Sequence, residues 1–158
     1  MEGHLARLIE TFAQPGEVRW IGVRPARREA MVEVEAAAIT FNGLEGDRRD
    51  SPGKRAVSLI QWEHLAVVAS LMGQEAVDAR LLRRNIVVSG INLLGLRKAQ
   101  FRVGGAVLQG TGLCAPCSRM EETLGRGGYT AMRGHGGVTA EVITPARIQV
   151  GDSVGFEG

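Results

Sequence analysis

The stretch Phe101-Arg102-Val103-Gly104-Gly105-Ala106-Val107 reads as a strand, a tight glycine turn and a second strand. Ile148-Gln149-Val150-Gly151-Asp152-Ser153-Val154 repeats that plan near the end of the chain. Glycine supplies the unusual backbone angles that let two apolar runs reverse over so few residues. Working outward, Ile86-Val87-Val88, ended by Gly90, reads as a buried strand, and Ala56-Val57-Ser58-Leu59-Ile60 as another. Val18, Trp20, Ile21 and Val23 precede Arg24-Pro25, and Met31, Val32 and Val34 follow with Glu33 and Glu35 interleaved. That period of two predicts a strand pair. Helical spacing is confined to three places. Leu5, Leu8, Ile9 and Phe12 form an N-terminal arm closed by Pro15-Gly16, and a short segment covers Asp78–Leu82. Between them, Trp62, Leu65, Ala66, Val68, Ala69 and Met72 share one helical face, with Gly73 as the stop. Short strands, repeated glycine turns and one good helix predict a mainly β fold with a few helices, a β-barrel with helical decoration instead of a βαβ array.

The chain has 158 residues, which suits one domain. The expected organisation is a helical arm over residues 1–17 and a single domain over 18–158. Hydrophobics at 44% and charged residues at 23% are the usage of a water-soluble protein, with core enough to fold without a disulfide or metal staple. No apolar run approaches the ~18 residues of a membrane span. Met1-Glu2-Gly3-His4 offers no basic region before an apolar one, so a cytoplasmic protein is expected. Aromatics are only 4%, which argues against a base-stacking platform, and a net charge of +2 does not predict duplex binding. Lysine occurs only at Lys54 and Lys98, leaving 17 arginines. Arginine's planar fork suits phosphates and carboxylates, although it is also an ordinary surface residue.

Both cysteines lie in Gly110-Thr111-Gly112-Leu113-Cys114-Ala115-Pro116-Cys117-Ser118-Arg119. A structural zinc site would need a second ligand pair, and His4, His64 and His135 do not supply finger-like spacing. A thioredoxin-like pair needs a strand-to-helix context, which the glycines and Pro116 do not predict. Gly110-x-Gly112-x-x-Ala115 matches a dinucleotide fingerprint only loosely, with Pro116 where the phosphate-binding helix should run and no flanking βαβ order. A Cys–His hydrolase built on Cys117 and His135 meets a Gly134-His135-Gly136-Gly137 run that reads as a turn. Two readings stay open: a single functional thiolate favoured by Arg119, or two buried, inert cysteines.

Several blocks in order resemble the MOSC domain, known from the C-terminus of molybdenum-cofactor sulfurases and as a stand-alone protein. They are Gly43-Leu44-Glu45-Gly46-Asp47-Arg48; Leu82-Arg83-Arg84-Asn85-Ile86-Val87-Val88-Ser89-Gly90; Phe101-Arg102-Val103-Gly104; Leu113-Cys114-Ala115-Pro116-Cys117; and Ile148-Gln149-Val150-Gly151-Asp152-Ser153-Val154. Together they span roughly residues 18–156. The resemblance implies a partly closed β-barrel that binds the molybdenum cofactor (molybdopterin). It also implies two-electron reduction of N-hydroxylated small molecules, with electrons from a separate donor protein. By the same resemblance Cys117 is the molybdenum ligand and catalytic residue, and Cys114 a neighbour. Arg83 and Asn85 are expected to hold the anionic cofactor.

Arg48, in the polar run from Arg48 to Arg55, and Lys54 are further candidates for a phosphate, although such a run is also an ordinary solvated face. Asp47 reads as a partner holding Arg48. The family's Pro-x-Lys-Ser motif is here Pro25-Ala26-Arg27-Arg28, so Arg27 would replace the lysine and the serine is missing. No equivalent of the separate N-terminal barrel of two-domain relatives is read in this chain. An open groove, a homodimer covering the site, or a carrier role are the resulting alternatives. In the carrier alternative Cys117 takes sulfur from a sulfur donor as a persulfide, without bound metal.

Overall fold

A computed structural model describes residues 3–49 and 51–158. Met1 and Glu2 of the N-terminal arm and Asp50 of the polar run lie outside the described residues. The fold is a closed barrel. Strands β1 (Gly16–Val23), β5 (Val57–Gln61), β6 (Ile86–Ser89), β7 (Gln100–Val103), β8 (Ala106–Leu113), β9 (Val138–Thr144) and β11 (Ser153–Phe156) follow one another around it in the order β11-β7-β8-β9-β5-β6-β1. β11 closes the ring by pairing with β7 through Val154↔Val103 and with β1 through Gly16↔Val154. Among the described strands only β5 and β6 run parallel, and the excursion between them contains α2 (Trp62–Leu71) and a 3-10 turn at Ala79–Leu82. β2 (Val32–Val34) lies outside on β1, and β3 (Ala36–Thr40), β4 (Gly43–Leu44) and β10 (Ala146–Gln149) form a small second sheet.

The two glycine-turn segments end differently. β7 and β8 form the hairpin that their alternation predicts, with Val103 opposite Ala106. β10 and β11 part company: β10 pairs with β3 in the small sheet, and β11 enters the barrel. The chain thus uses Val150-Gly151-Asp152 to cross between sheets.

Both faces of the central strands are buried, which is why Ile86-Val87-Val88 has no polar alternation. Ile86 and Val88 join Val18, Ile21, Leu59, Phe101 and Leu108 inside the barrel. Val87, Ile60 and Trp20 face outward into a second cluster with Leu82, Val68, Met120 and Met132. Each such side chain contributes about 1.5–3 kcal/mol on leaving water. The outer cluster is covered by α2, α3 (Arg119–Leu124) and α4 (Gly128–Met132). Of these, α4 forms inside the glycine-rich stretch from Gly125 to Gly137. The Glu121 carboxylate makes the difference by accepting from the backbone N–H groups of Gly127 and Tyr129.

On α2, Val68 and Ala69 are buried and Leu65 and Met72 pack against the cluster, whereas Trp62 and Ala66 face solvent. Trp62 is instead covered by the Arg19 guanidinium, 4.5 Å from its ring centre, an arrangement that favours a cation over an aromatic face. The N-terminal helix α1 covers only His4–Ile9 and buries none of its side chains, while Phe12 stacks on Phe156 at 5.5 Å. No helix among the described residues is long and apolar enough to cross a membrane.

Candidate functional site

At one end of the barrel, the exit of β1, the loop after β4, the start of β6 and the end of β8 enclose a cavity of about 510 Å³. Six arginines line it: Arg24, Arg48, Arg49, Arg55, Arg83 and Arg84. Asp47 is the one carboxylate among its described lining residues. Positive charge gathered around a concavity attracts anions by Coulomb's law.

Asn85 builds the cavity floor. Its side chain is 7% exposed and fully engaged. Oδ1 accepts from the Ser58 N–H and hydroxyl, both at 3.2 Å, and Nδ2 donates to the Gly22 carbonyl at 3.2 Å and to Asp47 Oδ2 at 3.4 Å. It therefore ties β5, β1 and the loop after β4 together at one point. Asp47 completes the tie, with Oδ1 accepting from the Arg24 N–H at 2.8 Å, while the Arg48 N–H donates to the Arg24 carbonyl at 2.7 Å. Asp47 thus holds the backbone of Arg24 and the amide of Asn85, not the Arg48 side chain that sequence alone suggests. Burial pushes the Asp47 carboxyl above the ordinary carboxylate range. Its hydrogen bonds with Asn85 and the Arg48 backbone, and the Arg48 and Arg49 charges, oppose that rise.

The adjacent arginines Arg83 and Arg84 do different things. Arg84 is 6% exposed and donates through Nε to the Gly136 carbonyl at 2.8 Å, through Nη1 to the Leu82 carbonyl at 3.0 Å and through Nη2 to the Ala115 carbonyl at 3.4 Å. It anchors two loops while keeping its charge at the cavity wall. Arg83 makes no such bonds among the described residues. It ends the 3-10 turn in the left-handed region at φ 61, ψ 36, a conformation that costs a non-glycine residue about 1 kcal/mol. Burial, followed by the Arg119 charge, pushes its guanidinium below the ordinary arginine range; Arg84 adds to this, and Cys117 and Glu122 oppose it. A cation held near other cations, without an acceptor among the described residues, attracts an external anion. Arg24 adds a further signal, because its Nη1 is buried with no hydrogen-bond partner among the described residues.

Cys114 and Cys117 follow β8 and precede α3, so the pair does occupy a strand-to-helix connection, contrary to the sequence expectation. The register of β8 against β9 shifts between Gly110 and Gly112, just ahead of this segment. Cys114 is buried and lines the cavity, and its N–H donates to the Gly137 carbonyl at 2.8 Å. Gly136 and Gly137 must be glycine here. A Cβ on Gly136 would lie 2.0 Å from the Cys114 carbonyl oxygen, and one on Gly137 1.9 Å from that of Leu59. Cys117 is exposed and outside the lining, yet near enough for its charge to act on Arg83.

Of the residues expected from sequence, Arg83, Asn85 and Arg48 meet at the cavity. Arg27 and Lys54 are exposed and do not line it; Lys54 instead offers its carbonyl to the Thr111 hydroxyl. Arg24, Arg84 and Cys114 carry more of the site than their sequence context signals. His135 lies outside the lining; its ring meets that of His64 edge to face at 5.1 Å. Among the described residues no three His, Cys, Asp or Glu side chains gather as a metal cluster. An all-protein metal cage is therefore not what this donor set offers. The set suits a group that brings its own anionic oxygens: five side-chain donors per guanidinium, one of them orphaned at Arg24, and two thiols close by.

A family model described as the MOSC domain matches residues 13–155. The crystal structure of the YuaD protein from Bacillus subtilis has a TM-score of 0.79 at 17% identity, covering 91% of this chain and 97% of that one. YiiM from Geobacillus stearothermophilus gives 0.73 at 18% identity over 91% of this chain and 76% of its own. YiiM from Escherichia coli gives 0.68 at 20% over 90% and 70%. At these identities the likeness is one of fold. No curated protein matches the sequence.

Proposed function

The chain belongs to the MOSC domain family, whose members are associated with the molybdenum cofactor, and from that premise we propose that its arginine-lined cavity binds this cofactor for the reduction of N-hydroxylated small molecules. The observation that carries the reading is the gathering of six arginines, one with an orphaned buried nitrogen, around a cavity with a single described carboxylate.

Arg83 and Arg24 would take the phosphate, since neither guanidinium is committed to an acceptor among the described residues. Arg48, Arg49 and Arg55 stand on the exposed side of the cavity and would add charge from the solvent edge. Arg84 and Asn85 keep the walls in place through the bonds described above. Cys117, exposed on the connection between β8 and α3, would supply the sulfur ligand. When bound, the cofactor supplies the two-electron chemistry that breaks an N–O bond, with two electrons from a separate donor protein and two protons, to give an N–H group and water.

The exposure of Cys117 favours a second reading. An accessible thiolate can attack the sulfane sulfur of a donor persulfide, forming Cys117–S–SH and releasing the donor thiolate, with no metal involved. The deciding experiment is molybdenum and pterin analysis of protein produced with the cofactor pathway present, comparing wild type with Cys117→Ser and Arg83→Met. Near-stoichiometric molybdenum that falls in both variants supports the first reading. Absence of molybdenum and pterin from the wild type sinks it, and a persulfide mass adduct on Cys117 then identifies the carrier.

A further inference from the structure

A second cavity, also about 510 Å³, lies against the same Leu113–Cys117 segment, and Cys114 lines both. Its chemistry is the opposite of the first. Leu94, Leu113, Ala115, Pro116 and Tyr129 give it apolar walls, and Arg133 is its one charged lining residue. Three of these apolar side chains are unusually open to water: Leu113 at 63% exposure, Leu94 at 50% and Tyr129 at 42%. Large apolar groups left exposed around a concavity, not scattered singly, mark a binding site. The volume falls within the few hundred to about a thousand Å³ of small-molecule pockets.

The walls are preformed. Pro116 and Ala115 have few conformations to lose on binding, and Gly136 is pressed so closely on the Cys114 carbonyl that no side chain fits between them. The Arg133 side chain has no hydrogen-bond or ion-pair partner among the described residues. The carboxylates of α3 do not reach it: Glu121 is occupied by the N–H groups of Gly127 and Tyr129.

We propose that this second cavity is a binding site for an apolar carboxylic acid, its aryl or acyl body between Leu94, Leu113 and Tyr129 and its carboxylate on Arg133. An acid fits better than an amine because the one charge among the described lining residues is positive. It fits better than a phosphate because apolar walls replace the ring of arginines found on the other side of Cys114. The site does not depend on what fills the arginine cavity. Where that cavity holds the proposed cofactor, a ligand here lies across the Leu113–Cys117 segment from it.

The test uses the full chain with 13C-labelled leucine methyl groups, titrated separately with 4-phenylbutyrate and with its uncharged amide. Saturable shifts centred on the Leu94 and Leu113 methyls are expected, with the acid bound more tightly. Arg133→Gln should weaken the acid about fivefold and leave the amide unchanged. Leu113→Gln, at an exposed position where folding is not at stake, should weaken both. The proposal is overturned by no saturable shift at either leucine, or by equal affinity for acid and amide in the wild type. It also fails if the same shifts arise on concentrating the protein alone, which would make the patch a contact between copies. Because no cofactor is needed, its failure is separate from any failure of molybdenum loading.

Discussion

Cys114 and Cys117, three residues apart on one connection, face opposite environments: Cys114 is 7% exposed with its N–H bound to Gly137, and Cys117 is open to solvent. Alkylation by a bulky thiol reagent should therefore modify Cys117 first, with Cys114 following only as the protein opens. Peptide mass spectrometry over a time course checks this, and equal rates at the two thiols would contradict the fold of this segment.

Asp47 gives the site an acid-range signature. Its folded pKa is raised by burial, so between the ordinary value and the raised one the folded state holds more proton than the unfolded chain. Stability from this group is fully present below the ordinary carboxylate pKa and is lost as pH rises through the folded one. Asp47→Asn removes the charge, so the difference in unfolding free energy between wild type and variant should change with pH across that window and flatten above it. Denaturant midpoints at a series of acidic pH values measure it; a difference independent of pH would exclude the buried carboxylate as described. The same substitution removes the one described carboxylate from the arginine cavity and should tighten binding of inorganic pyrophosphate at neutral pH.

The barrel was largely legible because its strands carry local signals. The Gly104-Gly105 turn, the unbroken apolar run of β6 and the alternation at Met31–Val34 each predict what forms. The site was legible only where a motif marked it. Arg83 and Arg84 look alike in the chain, yet Arg84 turns to three carbonyls and Arg83 to the cavity, a choice made by the left-handed turn at Arg83 and the distant Gly136 and Ala115. Arg24 reads as a turn residue before Pro25, and its part in the site arises from Asp47, 23 residues on. Likewise α4 is hidden among glycines because its cap comes from Glu121 on the preceding helix. Such long-range pairings leave no periodicity to read.

Arg84 should prove structural where Arg48 is not. Arg84→Met leaves three carbonyl contacts unmade, two of them buried, and is expected to cost about 3 kcal/mol. For a domain of this size that lowers Tm by about 6–12 °C. Arg48→Met, at an exposed cavity edge, should stay within about 0.5 kcal/mol of wild type while weakening pyrophosphate binding. Thermal melts and titration of both variants separate the two roles. A stable Arg84→Met protein would show that the loops at Gly136 and Ala115 do not need the guanidinium.

Gly137 and Gly134 provide an internal comparison of packing against backbone strain. Both sit in the left-handed region, at φ +84 and +81. A Cβ on Gly134 meets nothing within 4 Å, so Gly134→Ala should cost only the backbone penalty of about 1–2 kcal/mol. A Cβ on Gly137 lies 1.9 Å from the Leu59 carbonyl oxygen, and that oxygen belongs to a central barrel strand that cannot retreat. Gly137→Ala should therefore cost at least about 2 kcal/mol more than its neighbour, since overpacking typically adds 1–3 kcal/mol and backbone yields less than a side chain. The displacement would also pull the Gly137 carbonyl away from the Cys114 N–H, so alkylation of Cys114 should accelerate in this variant and stay slow in Gly134→Ala. Equal stability losses with unchanged Cys114 reactivity would mean that the loop after α4 does not hold the cysteine segment in place.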